Sequence, residues 1–354
     1  MGNGALRGAK KTHPTRMDAY APRGIAWQAE FGYSLANHFF QRGTMQEPLN
    51  QVAGSDRPTR GVISTAAAAL ECMRPYQWLK NTLVFVPLIA AHRLNELDRL
   101  RVATAVFLAF NFCASAIYLI NDIKDAAADR LHPHKRLRPI ASGRLPRSVA
   151  LTLVPVLLAA GMAIATFVDV RVTAVLAFYV VLMVVYSLWL KAIVLLDALV
   201  LAGGYALRIA AGAVAVAIRP PPELLAFFVF VFFSLAMVKR YAELSLLRTA
   251  GVKTPPSRCY SVEDSGVLMV LGGSSGMLAV LVLALFLTTE DVGQSYAHST
   301  LGWCASVLLL YWISHMWLIA HRGRMTDDPL VFAIKDRVSV TLIMLTAATA
   351  WFAA

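Results

Sequence analysis

Four side chains that carry oxygen ligands recur at helical spacing between residues 121 and 129. Asn121, Asp125 and Asp129 are separated by four residues each, so a helix through them would place all three on one face. Asp122 lies about 100° away on the same helix, near enough to share a site. Crowded carboxylates repel one another unless a cation lies between them, and oxygen ligands without nitrogen or sulfur suit Mg²⁺. The spacing therefore predicts a magnesium site formed by the three aspartates, with the asparagine assisting.

Basic side chains follow these aspartates directly. Arg130, Lys135 and Arg138 can donate hydrogen bonds to the oxygens of a phosphate or diphosphate. An ordinary solvated basic loop is the alternative interpretation. Three aspartates at the end of a membrane helix weigh against it, since acidic residues at such positions are rarely without a function. Carboxylates for a metal followed by cations for phosphate predict a diphosphate site at a membrane surface.

The elements that position this stretch are long apolar segments. A spanning helix needs about 20 mostly apolar residues. Segments such as 224–238 are apolar on every side, unlike the amphipathic helices of a soluble bundle. The pattern predicts an all-α polytopic membrane protein of about nine transmembrane helices. The candidate spans are 78–91, 102–120, 149–168, 172–190, 192–218, 223–238, 267–288, 301–320 and 338–354.

Composition and charge agree with this class. The chain has 354 residues, of which 58% are apolar and 15% charged, whereas soluble domains average about 45–50% and about 25%. A formal net charge of +12 would suit a nucleic-acid binder if it belonged to a basic globule. Alternating spans from a cytoplasmic N-terminus instead put 27 of the 33 Lys and Arg residues on one side, as the positive-inside rule requires. The distribution of the charge therefore indicates how the chain is oriented in the cytoplasmic (inner) membrane. No nucleic-acid partner is needed to explain the net charge.

The first 70 residues differ from the rest of the chain. They are mixed and basic, with Gly, Pro and Arg throughout, and they contain no spanning segment. We expect residues 1–70 to form a poorly ordered cytoplasmic arm and residues 71–354 to form the transmembrane domain that carries the predicted site.

The run N-D-x-x-D-x-x-x-D-R-x-H-P-x-K-x-x-R-P at 121–139 resembles the first signature of the UbiA superfamily of intramembrane prenyltransferases. More narrowly, the chain resembles the branch typified by decaprenyl-phosphate phosphoribosyltransferase, and the resemblance covers about residues 70–350. The further stretches that resemble this branch are 73–81, 186–191 with Asp197, 203–208, 239–243 and 335–337.

The resemblance implies a UbiA-like bundle around a cytoplasm-facing active-site cavity, with the three aspartates binding Mg²⁺ and a diphosphate leaving group. Further substrate contacts are expected of Lys80, Tyr186, Lys191, Asp197, Lys239 and Arg240. Arg208, also within a span, is expected either to have a functional role or to pair with a neighbouring helix. The Asp327–Asp328–Pro329 run is interpreted as the start of a loop.

One departure from the superfamily narrows the expected substrate. Its aromatic prenyltransferases have a second Asp-rich motif after the sixth span, which helps to bind a prenyl diphosphate through a second Mg²⁺. Here the loop reads Lys-Arg-Tyr-Ala-Glu at 239–243, without D-x-x-x-D. One diphosphate site plus extra cations, with the resemblance, implies Mg-dependent transfer of 5-phosphoribose from phosphoribosyl diphosphate to polyprenyl (decaprenyl) phosphate. The product would be a lipid-linked precursor of arabinose donors.

Two other functions stay open. One is a polyprenyltransferase that acts on an aromatic or quinone precursor. The other is a non-enzymatic transporter or membrane assembly subunit, for which paired broken spans in two matching halves would be expected. The residues do not decide the prenyl chain length, the oligomeric state (a homo-oligomer included), or whether the product serves cell-wall or nodulation-signal arabinosylation.

Overall fold

The computed structural model describes residues 62–131, 135–249, 260–288, 299–325 and 328–353. The predicted basic arm therefore lies, up to residue 61, outside the described residues. Within the described ranges the chain forms eleven α-helices and four 3₁₀-helices. The α-helices are α1 Val62–Met73, α2 Val86–Ala90, α3 Leu97–Leu131, α4 Arg147–Val168, α5 Val170–Leu188, α6 Leu196–Ala215, α7 Pro222–Thr249, α8 Ser265–Phe286, α9 Ser299–His321, α10 Pro329–Lys335 and α11 Arg337–Ala353. The 3₁₀-helices are Pro75–Phe85, Lys135–Leu137, Leu190–Ala192 and Val262–Asp264.

Seven helices of the described chain, α3 to α9, are long and apolar enough to cross a membrane. The predicted all-α polytopic fold is confirmed. Two of the nine predicted spans take a different form. The last forms α11, a helix of 17 residues, and the first is divided into two short pieces.

The first predicted span consists of a 3₁₀-helix of 11 residues followed by α2. A proline stands in the first turn of each piece, where its missing N–H is not needed. Because a 3₁₀-helix repeats every three residues, Trp78, Asn81 and Val84 share one face, and Asn81 and Val84 are buried. Val84 lies so close to Gly212 of α6 that a Cβ at the glycine would overlap its carbonyl oxygen. This close approach fixes the segment against α6.

α3 is the longest helix described. Its 35 residues extend about 50 Å, well past the predicted span, and its last turns carry the predicted aspartates. The chain returns to α4 through the short 3₁₀-helix Lys135–Leu137 and a turn in which Gly143 has a φ of 76°, a conformation that favours glycine. The hairpin of α3 and α4 therefore supports the aspartates on regular helix and brings the following basic residues back toward them.

Polar residues from distant parts of the chain meet at one end of this bundle. Lys191, which follows α5, pairs with Asp125 of α3, and Lys239 of α7 pairs with Asp328, which precedes α10. We call the region around these residues the polar end. Successive antiparallel helices return alternate connections to the same side, and this is the side that the charge pattern predicts to be cytoplasmic.

Candidate active site

The predicted aspartates divide between two partners. Nη1 of Arg138 donates to Oδ2 of Asp129 at 2.7 Å and to Oδ1 of Asp122 at 3.3 Å, whereas Asp125 lies 3.3 Å from Nζ of Lys191. Seven residues complete two helical turns to within about 20°, so positions 122 and 129 point in nearly the same direction. The structure therefore brings Asp122 and Asp129 together as a buried pair, 2% and 4% exposed, and directs Asp125 toward the end of α5.

A second guanidinium, that of Arg74, binds the same pair of aspartates through Asp122. We call Asp122, Asp129, Arg138 and Arg74 the aspartate cluster. Nη2 of Arg74 donates to Oδ1 of Asp122 at 2.6 Å, and the guanidinium lies 5.0 Å from the ring centre of Tyr118. Arg74 has a φ of 54°, which is uncommon for a residue other than glycine. The turn between α1 and the 3₁₀-helix thus holds Arg74 against the cluster. The sequence offered one signal for it, an Arg-Pro pair at the start of the first membrane segment.

Two further residues of the first signature have partners on other elements. Asn121 Oδ1 accepts from the hydroxyl of Ser187, and Nε of Arg130 donates to the backbone oxygen of Ala141 at 3.2 Å. Lys135 lies exposed in its 3₁₀-helix. Of the three cations predicted for phosphate, Arg138 is the one that the described structure places on the aspartates.

Two lysines and one carboxylate form a second group, which we call the lysine cluster. Oδ2 of Asp328 accepts from Nζ of Lys80 at 2.9 Å and from Nζ of Lys239 at 3.0 Å. Burial alone would raise the pKa of Asp328, but the two ammonium groups outweigh it and hold the pKa well below its usual range. Asp328 also caps α10 through the N–H of Leu330. The sequence placed it only at the start of a loop, because its lysine partners are 248 and 89 residues away.

An apolar cavity of about 560 Å³ opens beside the lysine cluster. Leu83, Phe232, Trp312 and Leu342 are among its lining residues, and Lys80 lies on its wall. A smaller pocket of about 60 Å³ lies between Lys80, Lys239 and Asp328. The cluster thus lines the small pocket and adjoins the apolar cavity through Lys80.

The first membrane segment connects the two charged groups. Arg74 directly precedes the 3₁₀-helix that contains Lys80, and the six residue steps from one to the other extend about 12 Å in that conformation. The aspartate cluster and the lysine cluster are therefore neighbouring parts of one region at the polar end.

Asp197 and Arg240, both predicted to contact substrate, pair with each other. Nε of Arg240 donates to Oδ2 of Asp197 at 2.6 Å, and the two side chains are 3% and 1% exposed. The Tyr260 hydroxyl donates to the other oxygen of Asp197 at 2.5 Å and accepts from the N–H of Leu195 at 2.8 Å. Tyr186, also predicted, lies 3.5 Å from Nη2 of Arg240. This network joins α5, α6, α7 and the residues before α8 at the polar end, and the substrate role of its members stays a prediction.

Arg208 is buried farther along α6. Its guanidinium donates to Asn81 Oδ1 at 2.6 Å, to the backbone oxygen of Gly204 at 2.6 Å and to the hydroxyl of Tyr179 at 2.8 Å. It also lies 4.7 Å from the ring centre of Tyr179. These contacts favour the structural alternative, because they join α6 to α5 and to the first membrane segment.

Seven apolar helices with a charged, partly buried pocket at one end define a polytopic helical membrane protein. The chain belongs to the UbiA prenyltransferase family, which matches residues 82–352, and it is therefore a multi-pass membrane transferase. The resemblance inferred from the signature residues is confirmed.

Individual relatives agree with this family. The chain is 38% identical to nodulation protein NoeC of Azorhizobium caulinodans over 77% of this chain and 89% of the relative. It is 32% identical to decaprenyl-phosphate phosphoribosyltransferase of Mycolicibacterium smegmatis over 85% of this chain and 94% of the relative. The fold is similar to that of a UbiA homolog from Archaeoglobus fulgidus bound to GPP and Mg²⁺, with a TM-score of 0.60 and 16% identity over 80% of this chain and 99% of that one.

Proposed function

We propose that this protein transfers the 5-phosphoribosyl group of phosphoribosyl diphosphate to a polyprenyl phosphate at the cytoplasmic face of the inner membrane. The observation that carries the proposal is the lysine cluster. Lys239 stands where aromatic prenyltransferases of the family would have the second Asp-rich motif, and it shares Asp328 with Lys80, which lies on the wall of the apolar cavity. Two ammonium groups suit an anionic lipid headgroup, whereas a second diphosphate-bound metal would need carboxylates.

The aspartate cluster fits the donor's diphosphate and its metal. Mg²⁺ is commonly bound by one or two carboxylates together with waters and substrate phosphates. Asp122 and Asp129 supply two such carboxylates, and both already neutralise cations. The described residues contain no group of three His, Cys, Asp or Glu side chains placed to hold a metal together. We therefore assign the metal to Asp122 and Asp129, and the metal role of Asp125 stays a prediction.

In the proposed reaction, negative charge develops on the diphosphate as it leaves the ribose. The bond between C1 of the ribose and the diphosphate oxygen breaks with its electron pair on the diphosphate, and C1 bonds to an oxygen of the lipid phosphate. Mg²⁺, when bound, would neutralise part of the charge on the leaving group. Arg138 and Arg74, held at the aspartates, would donate to the same diphosphate as its charge grows. Fixed cations of this kind bind the transition state better than the ground state.

The acceptor needs orientation rather than a strong base. A phosphate monoester is anionic at neutral pH, so its oxygen can attack without losing a proton to the protein. Lys80 and Lys239 would hold this headgroup, with the isoprenoid chain in the apolar cavity. The residues that remain candidates for binding the phosphoribosyl diphosphate donor are Asn121, Arg130, Lys135 and Lys191.

Residues 71–354 would form the catalytic domain, with residues 1–70 as a cytoplasmic arm.

The purified protein in detergent is expected to make lipid-linked phosphoribose from labelled phosphoribosyl diphosphate, polyprenyl phosphate and Mg²⁺. Omitting the lipid phosphate or adding a chelator should stop product formation. Release of diphosphate only with a prenyl diphosphate and an aromatic acceptor would refute the proposal and establish the other transferase activity. Mass spectrometry of the product made with native lipid extract would then give the chain length.

A further inference from the structure

We propose that Lys80 and Lys239 form an anion site that Asp328 occupies until a lipid phosphate headgroup displaces its carboxylate. This inference rests on the proposed function, because that function supplies the anionic lipid. It adds a role for Asp328 as a competing internal ligand, and it makes the start of α10 the part of the protein that moves when the lipid binds.

The charges of the cluster do not balance. Two ammonium groups face one carboxylate, and both lysines bond the same oxygen of it, Oδ2. The side chains of Lys80 and Asp328 are each only 13% exposed and that of Lys239 is 33% exposed, so solvent reaches Lys239 but compensates little of the charge at Lys80. A phosphate monoester brings up to two negative charges and three acceptor oxygens. It therefore matches the two lysines better than the carboxylate that they hold.

Space leads to the same conclusion. Lys80 and Leu330 line both the apolar cavity and the small pocket of about 60 Å³, so the two spaces adjoin beside the cluster. On the proposed function the lipid chain would lie in the larger space, and a headgroup bonded to both lysines would take the place of the Asp328 carboxylate that they now hold. The lipid headgroup and the Asp328 carboxylate therefore compete for the same two ammonium groups.

The start of α10 is suited to such a movement. α10 has seven residues, and Oδ1 of Asp328 accepts from the N–H of Leu330 at 3.2 Å. Leu330 and Ala333 of this helix line the apolar cavity. When Asp328 turns away from the lysines, the cap and the cavity wall shift together. Headgroup binding would thereby adjust the cavity to the lipid chain.

Binding of farnesyl phosphate to the full-length protein in detergent, without donor or Mg²⁺, tests the inference. Asp328→Asn keeps the shape and the capping ability of the side chain and removes its charge. If the carboxylate fills the site nine-tenths of the time, its loss should tighten binding by about tenfold. Asp328→Ser, which also caps a helix, provides a second test should the asparagine variant not fold.

Matched controls separate the possible results. Asp336→Asn changes the other end of α10, where Asp336 contacts His315 and Ser339, and should leave the affinity unchanged. Lys80→Gln or Lys239→Gln should weaken binding. Farnesol and inorganic phosphate should each bind far more weakly than farnesyl phosphate; equal binding of inorganic phosphate would overturn the lipid assignment.

Unchanged or weaker binding by both Asp328 variants would overturn the inference, because the carboxylate would then not compete with the headgroup. These measurements need no turnover. Tighter binding without phosphoribosyl transfer would support the competing role of Asp328 and refute the proposed reaction. Phosphoribosyl transfer with unaltered binding would support the proposed reaction and refute the competing role of Asp328.

Discussion

Replacing Tyr260 by Phe is expected to weaken the polar end without leaving a cavity. The hydroxyl bonds Asp197 at 2.5 Å and the N–H of Leu195 at 2.8 Å, and Tyr260 is 2% exposed. A hydrogen bond to a charged group contributes about 1.5–3 kcal/mol, and a buried group left without a partner costs about 1–3 kcal/mol. Leu195 also has a φ of 64°, a conformation that needs support from its surroundings. We expect Tyr260→Phe to lower the free energy of unfolding by about 2–4 kcal/mol.

Thermal unfolding in detergent at a fixed protein concentration measures this loss. Each kcal/mol shifts Tm by about 2–4 °C in domains of 150–250 residues, so the variant should melt about 4–16 °C below the wild type. Tyr311→Phe is the matched control, because its ring lies 58% exposed on α9. Removing that hydroxyl should change Tm by much less.

A double-mutant cycle with Asp197→Asn shows whether the hydroxyl acts through the carboxylate. If the two groups share the bond described, the effects of the single changes should not add, because the double variant loses that bond only once. Fully additive effects, or a Tyr260→Phe shift no larger than that of the Tyr311 control, would refute the reasoning.

Three further predictions test the packing, the aspartates and the lysine cluster. Gly212→Ala should destabilise by about 3 kcal/mol, whereas Gly203→Ala, whose added methyl meets nothing within 4 Å, should be neutral or stabilise by up to about 1 kcal/mol; thermal unfolding compares them. Asp129→Asn should lower kcat/KM by about 100-fold or more and Asp125→Asn by less, since its carboxylate faces a lysine; steady-state kinetics measure both. The lowered pKa of Asp328 means that its ion pairs stabilise fully above about pH 4 and are lost as the pH falls toward that lowered pKa. Unfolding between about pH 7 and about pH 3 should therefore show an acid-side loss that the D328N variant lacks.

Much of the fold could be predicted from the sequence, because membrane helices depend on a local property. The predicted span 149–168 agrees with α4, Arg147–Val168, to within two residues at its start and ends at the same residue. α3 and α7 continue 11 residues beyond their predicted ends, since hydropathy ends at the membrane while hydrogen bonding along the helix does not. The division of the first span depends on the close approach to Gly212, a long-range contact that no local pattern contains.

The candidate site was harder to predict, because its pairings depend on distance in space. Spacing identified the aspartates, but the choice of Asp122 with Asp129 follows from where Arg138 returns to the helix. Asp197 was noticed as a charge within a span and Arg240 through the resemblance of 239–243, and their mutual pairing agrees with the general rule that buried charges find partners. Asp328 gave no such signal, because an aspartate before a proline is an ordinary start for a helix.

The length of α3 has a consequence for the place of the reaction. Asp122 and Asp129 come 25 and 32 residues after Leu97, or about 37 and 48 Å along the helix axis. The hydrocarbon layer of a bilayer is about 30 Å thick, so a helix of this length that begins at one boundary of that layer carries both carboxylates beyond the other boundary. On the proposed function, a water-soluble sugar donor and a lipid acceptor would meet at that boundary, without the sugar entering the hydrocarbon layer or the lipid leaving it. The proposed activity is then expected to fall in thicker bilayers, because a thicker hydrocarbon layer would reach closer to the carboxylates.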